Sequence, residues 1–302
     1  MDTKDVDLIK VFIAATRSEW LPMKVLEFSI RKHTSQPVQI TPISSFERTI
    51  PIPQDHENQP RTPFSFQRFL IPELCNYQGK AIYLDADMQV FSDISDLFSI
   101  PFNKHDLLTT NSSTSCRANQ FSVMLLDCQA LEWNIDSIVD ALDSNQLDYD
   151  GLMYHMKVAN NIGNTIKPEW NSLEYFEKDI TSLLHYTDMN NQPWVSYNNP
   201  NTYLWVNCLH EAITSDFISH NEINGEIKHG FIRPSLIWQL NNIHTLGKLP
   251  IAVKKLDKRF CPPYKKLSSA KSPLQRLLGV DISSQTQKII RKVLRNRRFQ
   301  LK

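Results

Sequence analysis

The sequence predicts an α/β protein in which helices flank a mostly parallel sheet. Short apolar runs alternate along the chain with segments of helical periodicity, the pattern of strand–helix–strand units. The hydrophobic fraction of 41% and the charged fraction of 22% are typical of a globular protein. A chain of 302 residues can bury a substantial core. In such a sheet, ligands bind at the carboxyl ends of the strands.

Each predicted element rests on a local signal. The unbroken apolar run that ends at Ala15 predicts a first buried strand, and Pro22 suits the first turn of the following helix. Thr62 can cap a helix whose aromatic residues pack inward until Pro72 breaks the pattern. The predicted strands are 8–15, 38–40, 81–84, 107–110 and 121–126, and the predicted helices are 21–32, the segment after Thr62, and 131–142.

The cysteines, the apolar runs and the N-terminus argue against a disulfide framework, a zinc site, a membrane span and a secretory signal. The five cysteines are scattered without paired spacing, which argues against a disulfide framework and a zinc site. No run approaches the roughly 18 apolar residues of a membrane-spanning helix. The acidic N-terminus also lacks the basic-then-apolar pattern of a secretory signal. We therefore expect a cytoplasmic protein.

Charge is divided unevenly along the chain. Residues 254–302 contain 15 of the 33 Lys and Arg but only two of the 32 acids, which gives them a net charge of +13 and leaves −12 on residues 1–253. Residues 288–299 can form a basic amphipathic helix, a type that favours an anionic membrane surface. Docking on the acidic part of the chain, nucleic-acid binding or a solvated tail are the alternatives. We expect a domain over 1–253, a basic helical extension over 254–302 that contacts the inner membrane face, and no nucleic-acid partner.

Asp85 and Asp87 follow directly on the predicted strand 81–84. Two charges at the end of a core strand are costly to desolvate unless something neutralises them. A divalent metal shared with a phosphate-bearing ligand would do so. A solvated turn is the alternative interpretation of an isolated Asp-x-Asp triplet. The triplet alone does not distinguish a metal site from such a turn.

The scarcity of glycine excludes two common modes of nucleotide binding. With seven glycines the chain has no Gly-x-Gly-x-x-Gly fingerprint and no phosphate loop ending in Gly-Lys-Ser/Thr. It also lacks a Gly-x-Ser-x-Gly elbow, which weakens an esterase reading.

Three consecutive segments carry a family resemblance. They read TPFSFQRFLIPEL, which contains Arg68, then AIYLDADMQV, which contains Asp85 and Asp87, and then SDISDLF. This block resembles the retaining glycosyltransferases of family 8, which include glycogenin and the bacterial lipopolysaccharide galactosyltransferases. The resemblance extends over about residues 8–210 and implies the GT-A fold, a Rossmann-like α/β fold.

A later motif, HYTDMNNQPW from His185 to Trp194, is similar to the family motif whose His is the third metal ligand. The resemblance implies that Asp85, Asp87 and His185 hold Mn²⁺ or Mg²⁺, because carboxylates and one imidazole suit these metals. The family usually has a Lys where this chain has Gln192. Lys167 and Arg233 are candidate replacements for that cation.

The resemblance also implies contacts to the substrates. Arg68 would hold the donor sugar or diphosphate, with a surface salt bridge as the alternative. Asn171 could bond a sugar hydroxyl or hold a turn. Asp150 is the carboxylate to test for a covalent route, with a surface carboxylate as the alternative. The implied catalytic residues are Asp150 and Arg68, and the implied donor-binding residues are Ala14, Ala15, Thr16, Arg68, Asp85, Ala86, Asp87 and Asn171.

The function that the resemblance implies is a metal-dependent retaining transfer of a hexose from a UDP-sugar to a glycan or glycolipid acceptor. Two alternatives remain. A haloacid dehalogenase phosphatase also places Asp-x-Asp after a strand, but it generally has Thr or Val where this chain has Gln89. A catalytically silent GT-A protein that binds a partner is favoured by Gln192 in place of the family Lys.

Overall fold

A computed structural model describes residues 8–62, 64–111, 119–245 and 249–265 of the chain. The chain divides into one compact unit, Met1–Pro262, and a second, Pro263–Lys302. Everything described below belongs to the first unit. The predicted helix at 288–299 lies outside the described residues, and the domain boundary predicted after residue 253 stays a prediction.

A six-stranded sheet forms the centre of the first unit, with a small three-stranded sheet beside it. Three pairs in the large sheet, β1–β2, β1–β3 and β5–β7, are parallel, whereas β6 is antiparallel to both of its neighbours. The order is β2-β1-β3-β6-β5-β7 in the large sheet and β4-β9-β8 in the small one. The strands are β1 Ile9–Ala14, β2 Val38–Pro42, β3 Lys80–Asp85, β4 Met88–Val90, β5 Leu107–Asn111, β6 Asn119–Asp127, β7 Ile162–Ile166, β8 Ser172–Leu173 and β9 Leu183–His185. The mostly parallel sheet is confirmed.

Helices and loops cover both faces of the large sheet. Successive side chains of a strand point to opposite faces, so Phe12 and Tyr83 enter one apolar cluster while Val11 and Ile82 enter the other. The helices are α1 Trp20–His33, α2 Ile71–Leu74, α3 Ile94–Phe98, α4 Ile135–Asp143, α5 Tyr149–Met153, α6 Thr202–Thr214, α7 His220–Lys228, α8 Leu236–Asn241 and α9 Ile251–Lys254. Within the described ranges, none of these helices has the length and apolar content to span a bilayer.

Three predicted helix boundaries are wrong. The helix predicted from Thr62 starts later, as a 3₁₀ turn over Gln67–Leu70 that leads into α2, and the Thr62 hydroxyl lies 2.6 Å from the Ser65 hydroxyl. Pro72 lies in the first turn of α2, where a backbone N–H has no partner within the helix. Because Pro72 therefore costs no helical hydrogen bond, it does not end the helix. The helix predicted over 131–142 begins at Ile135, because the Asn134 side chain caps it.

The small sheet is the feature that assembles the site. β4 begins directly after the Asp-x-Asp triplet and pairs antiparallel with β9, so that Met88 lies opposite His185. On the other side, β1 and β3 pair with Ala14 opposite Asp85. Residues far apart in sequence therefore meet at the carboxyl ends of β1 and β3.

Candidate functional site

Asp85, Asp87 and His185 form a cluster at this sheet edge. Each offers one ligand atom, and the three atoms lie within 4.8 Å of one another. Among the described residues this is the cluster of acidic, His and Cys side chains that could hold a metal ion. Two carboxylates and an imidazole are oxygen and nitrogen ligands of the kind that Mn²⁺ and Mg²⁺ accept, so the residues present fit the predicted metal.

Asp87 and His185 are in direct contact. Asp87 Oδ1 lies 3.1 Å from His185 Nε2. Burial alone would lower the pKa of His185, but the neighbouring charges of Asp87, Asp85 and Glu174 outweigh it, so the pKa is raised. The other Asp87 oxygen, Oδ2, accepts a hydrogen bond of 3.1 Å from Gln192 Nε2. Gln192, where the family has Lys, thus contacts the cluster as a neutral donor.

Asp85 contacts two residues from the segments that carry the family resemblance. The Tyr83 hydroxyl donates to Asp85 Oδ1 over 2.6 Å, and Arg68 Nη2 lies 3.8 Å from the same oxygen. Tyr83 precedes Asp85 by two residues, so both side chains leave β3 on one face. Burial raises the pKa of Asp85, Asp87 raises it further, and Arg68 opposes both effects.

Arg68 is buried, with 7% of its surface exposed, so the surface salt bridge considered as an alternative is wrong. Its guanidinium lies 4.6 Å from the centre of the Tyr83 ring, and Nη1 donates to the Phe121 carbonyl over 3.0 Å. Nε is buried and makes no hydrogen bond within the described part of the chain. A buried cation with an unused donor beside Asp85 could bind an anionic ligand group.

Glu19 is a third carboxylate near the cluster, and the residue-based prediction missed it. Its Oε2 accepts bonds of 2.8 Å from both the backbone N–H and the hydroxyl of Thr16. Burial raises the pKa of Glu19 to about 7, and the charges of Asp87 and Asp85 contribute to the rise. The sequence signal was available, since Thr16 and Glu19 have the spacing of a capping box.

The remaining predicted donor-binding residues lie around the cluster in different ways. Ala14, Ala15 and Ala86 are buried at or after the ends of β1 and β3, and Thr16 is partly buried beside them. Asn171 is buried and lies 3.0 Å, through Oδ1, from His185 Nδ1. The structure therefore brings all of these residues to one edge of the sheet.

Asp150 makes its described contact outside the Asp-Asp-His cluster. It belongs to α5, its side chain is 65% exposed, and its Oδ1 lies 3.8 Å from Arg61 Nη2. The contacts described for Asp150 do not join it to the Asp-Asp-His cluster. Its catalytic role stays a prediction.

Within the described part of the chain, neither candidate replacement for the missing cation has a hydrogen bond or ion pair to the cluster that the structure records. Lys167 is exposed at the start of the 3₁₀ turn Pro168–Asn171. Arg233 is fully buried, and its three guanidinium nitrogens donate to the Pro193 carbonyl, to the Ser235 hydroxyl and to the Gln239 side chain. Arg233 thus stabilises the segment that follows Gln192.

Comparison with known proteins agrees with this geometry. Residues 16–134 match the family model described as Glycosyl transferase family 8. The predicted resemblance is confirmed over this segment, which contains Glu19, Arg68, Asp85 and Asp87. Protein CDI of Arabidopsis thaliana is 34% identical over 101 residues, which are 33% of this chain and 39% of that protein. The match thus spans about two fifths of the length of that relative.

Comparison with solved structures finds glycosyltransferases. A crystal structure of galactosyltransferase LgtC in complex with donor and acceptor sugar analogs is 12% identical with a TM-score of 0.50, and the match covers 72% of this chain and all of that one. Apo GlyE of Streptococcus pneumoniae TIGR4 is 17% identical with a TM-score of 0.49, over 66% of this chain and 59% of that one. The likeness to LgtC supports the predicted GT-A fold class.

Proposed function

We propose that the protein is a metal-dependent retaining glycosyltransferase that moves a hexose from a UDP-sugar to a glycan or glycolipid acceptor. The observation that carries this proposal is the convergence of Asp85, Asp87 and His185 at the carboxyl ends of the sheet. The match to glycosyl transferase family 8 over residues 16–134 supports the reaction class. The donor sugar, the retaining stereochemistry and the acceptor class are parts of the proposal.

The side chains of the cluster have distinct roles in this proposal. Asp85, Asp87 and His185 would hold Mn²⁺ or Mg²⁺, which when bound supplies positive charge to the departing diphosphate. Arg68 is placed beside Asp85 to donate hydrogen bonds to the donor sugar or diphosphate. The end of β1, up to Thr16, would contact the nucleotide.

Gln89 argues against the phosphatase alternative. Its amide nitrogen donates to the Leu204 carbonyl over 3.3 Å, and its oxygen accepts from the Tyr186 hydroxyl over 2.9 Å. The side chain is buried in these contacts, so it has a packing role in the small sheet. A phosphatase site would also leave the contact between Asp87 and His185 unexplained.

Calorimetry with UDP, in the presence and absence of Mn²⁺, tests the proposal. We expect binding that requires Mn²⁺, and we expect Asp87→Ala to weaken it by roughly two orders of magnitude or more, because a metal ligand is lost. Asp96→Ala is the matched control, since Asp96 is exposed on α3. The proposal would be contradicted if UDP bound with the same affinity with and without Mn²⁺, or if UDP did not bind in either condition. Binding without hydrolysis of any sugar donor would favour the silent protein.

We also propose that the basic extension 254–302 contacts an anionic membrane surface, which would place the enzyme near a glycolipid acceptor. Flotation with liposomes that contain anionic lipid should recover the full chain and leave a chain that ends at residue 267 in the dense fraction. Flotation should weaken as salt is added, because the attraction is electrostatic. Equal recovery of both chains would remove this part of the proposal.

A further inference from the structure

Two buried amide side chains flank the Asp-Asp-His cluster. Asn171 and Gln192 are each 7% exposed, and each bonds one of the predicted metal ligands. We infer that Asn171 and Gln192 are positioning residues that fix the orientation of His185 and Asp87 for a divalent cation. The inference rests on the proposed function and adds the residues that shape its metal site.

Asn171 selects the nitrogen that His185 offers to the metal. The Asn171 Oδ1 lies 3.0 Å from His185 Nδ1. Because an amide oxygen can only accept a hydrogen bond, Nδ1 carries a proton in this pair. When the ring is neutral, as a metal ligand must be, the lone pair that can bind a cation is then on Nε2, the nitrogen that faces Asp87 Oδ1. Metal-binding histidines generally need such an acceptor on the nitrogen that does not bind.

Ser122 holds the Asn171 side chain beside His185. Asn171 Nδ2 donates to the Ser122 hydroxyl over 3.2 Å, while Oδ1 lies toward His185. Ser122 belongs to β6, the strand that pairs with β3. A continuous series of hydrogen bonds therefore runs from the large sheet through Asn171 to the ring of His185.

Gln192 restricts Asp87 in a corresponding way. Gln192 Nε2 donates to the Tyr186 carbonyl over 2.9 Å and to Asp87 Oδ2 over 3.1 Å. A backbone carbonyl only accepts, so the nitrogen must face it, and turning the amide around would break both bonds. Asp87 Oδ2 is thereby engaged, and Oδ1 remains directed at His185 Nε2.

Mn²⁺ alone is the probe, and the binding constant of the full-length chain is measured from the electron paramagnetic resonance signal of free Mn²⁺. Asn171→Ala and Gln192→Ala should each weaken Mn²⁺ binding by about 10–100-fold, the usual effect of removing a group that orients a metal ligand. Asn171→Asp should recover most of the affinity, because a carboxylate also accepts from Nδ1. Asn241→Ala is the matched control, since that amide is exposed at the end of α8, and it should bind like the native protein.

Circular dichroism establishes that each variant is folded. Suppose that folded Asn171→Ala binds Mn²⁺ as tightly as the native protein while Asp87→Ala loses its affinity. That result would overturn the inference but would leave the proposed function standing. Absence of Mn²⁺ binding by the native chain would overturn both.

A second measurement is independent of the Asn171 variants. In the Mg²⁺-loaded protein with ¹⁵N-labelled histidine, the His185 signal, assigned by its loss in His185→Gln, should show the proton on Nδ1. A proton on Nε2 would overturn the inference.

Discussion

Replacement of Arg233 by methionine should destabilise the protein by about 3–5 kcal/mol. Arg233 is fully buried and donates to the Pro193 carbonyl over 2.8 Å, to the Ser235 hydroxyl over 2.5 Å and to Gln239. Methionine has similar length but leaves these acceptors without donors, and each unsatisfied buried group costs about 1–3 kcal/mol. Burial lowers the pKa of Arg233 to about 10, so the group is charged at neutral pH, and Asp257 supports the charge. The variant would thus also leave Asp257 without its cation.

Thermal unfolding measures this effect. A loss of 3–5 kcal/mol corresponds to a fall in Tm of about 6–20 °C for a domain of this size. Arg259→Met is the matched control, because Arg259 is exposed and its replacement should change the stability by less than about 0.5 kcal/mol. A Tm of Arg233→Met within about 2 °C of the native value would contradict the role assigned to Arg233. Arg233→Lys should lie between the two, since one ammonium cannot reproduce three directed bonds.

Five of the six strands of the large sheet could be predicted because their signals are local, whereas β7 was not predicted. β1 contains the apolar run 11–14 and β3 the apolar run 81–84, and the Asp-x-Asp triplet begins at the last residue of β3. The place of the two aspartates at a strand end could therefore be predicted without distant residues. α6 also carries a local signal, since Trp205, Leu209 and Ala212 are buried at helical spacing. No prediction was made for that helix, although its pattern is as clear as that of α1.

The arrangement of the site could not be predicted from local patterns. His185 reaches Asp87 because β4 and β9, strands of three residues each, pair across nearly a hundred positions of sequence. Strands this short have no periodicity to recognise, and the family resemblance identified His185. The burial of Arg233 could not be predicted either. A lone arginine is usually exposed, and no neighbouring residue in the sequence indicated that Arg233 would be fully buried and would donate to the Pro193 carbonyl.

Glu19 should make the stability of the protein fall as the pH rises from about 4.5 to about 7. Burial raises the pKa of Glu19 from 4.5 to about 7 in the folded chain, so the folded state binds this proton more tightly than the unfolded state does. The stabilisation from the bound proton is complete below pH 4.5 and is lost as the pH passes the folded pKa. The full difference corresponds to about 3 kcal/mol.

Glu19→Gln isolates this contribution. An amide oxygen can still accept the two bonds from Thr16 but has no proton to lose, so the variant should be more stable than the native chain at pH 8 and similar to it at pH 4.5. Urea unfolding at several pH values measures the difference, and Glu132→Gln, an exposed carboxylate, is the control that should follow the native curve. If the free energies of unfolding of Glu19→Gln and the native protein differ by the same amount at pH 4.5 and at pH 8, Glu19 keeps its ordinary pKa.

A cation held by Asp85 and Asp87 should reduce this effect. The charges of Asp85 and Asp87 raise the pKa of Glu19, so a bound cation should lower that pKa and narrow the pH range over which stability is lost. Repeating the series with Mn²⁺ therefore connects the titration of Glu19 to occupancy of the proposed metal site.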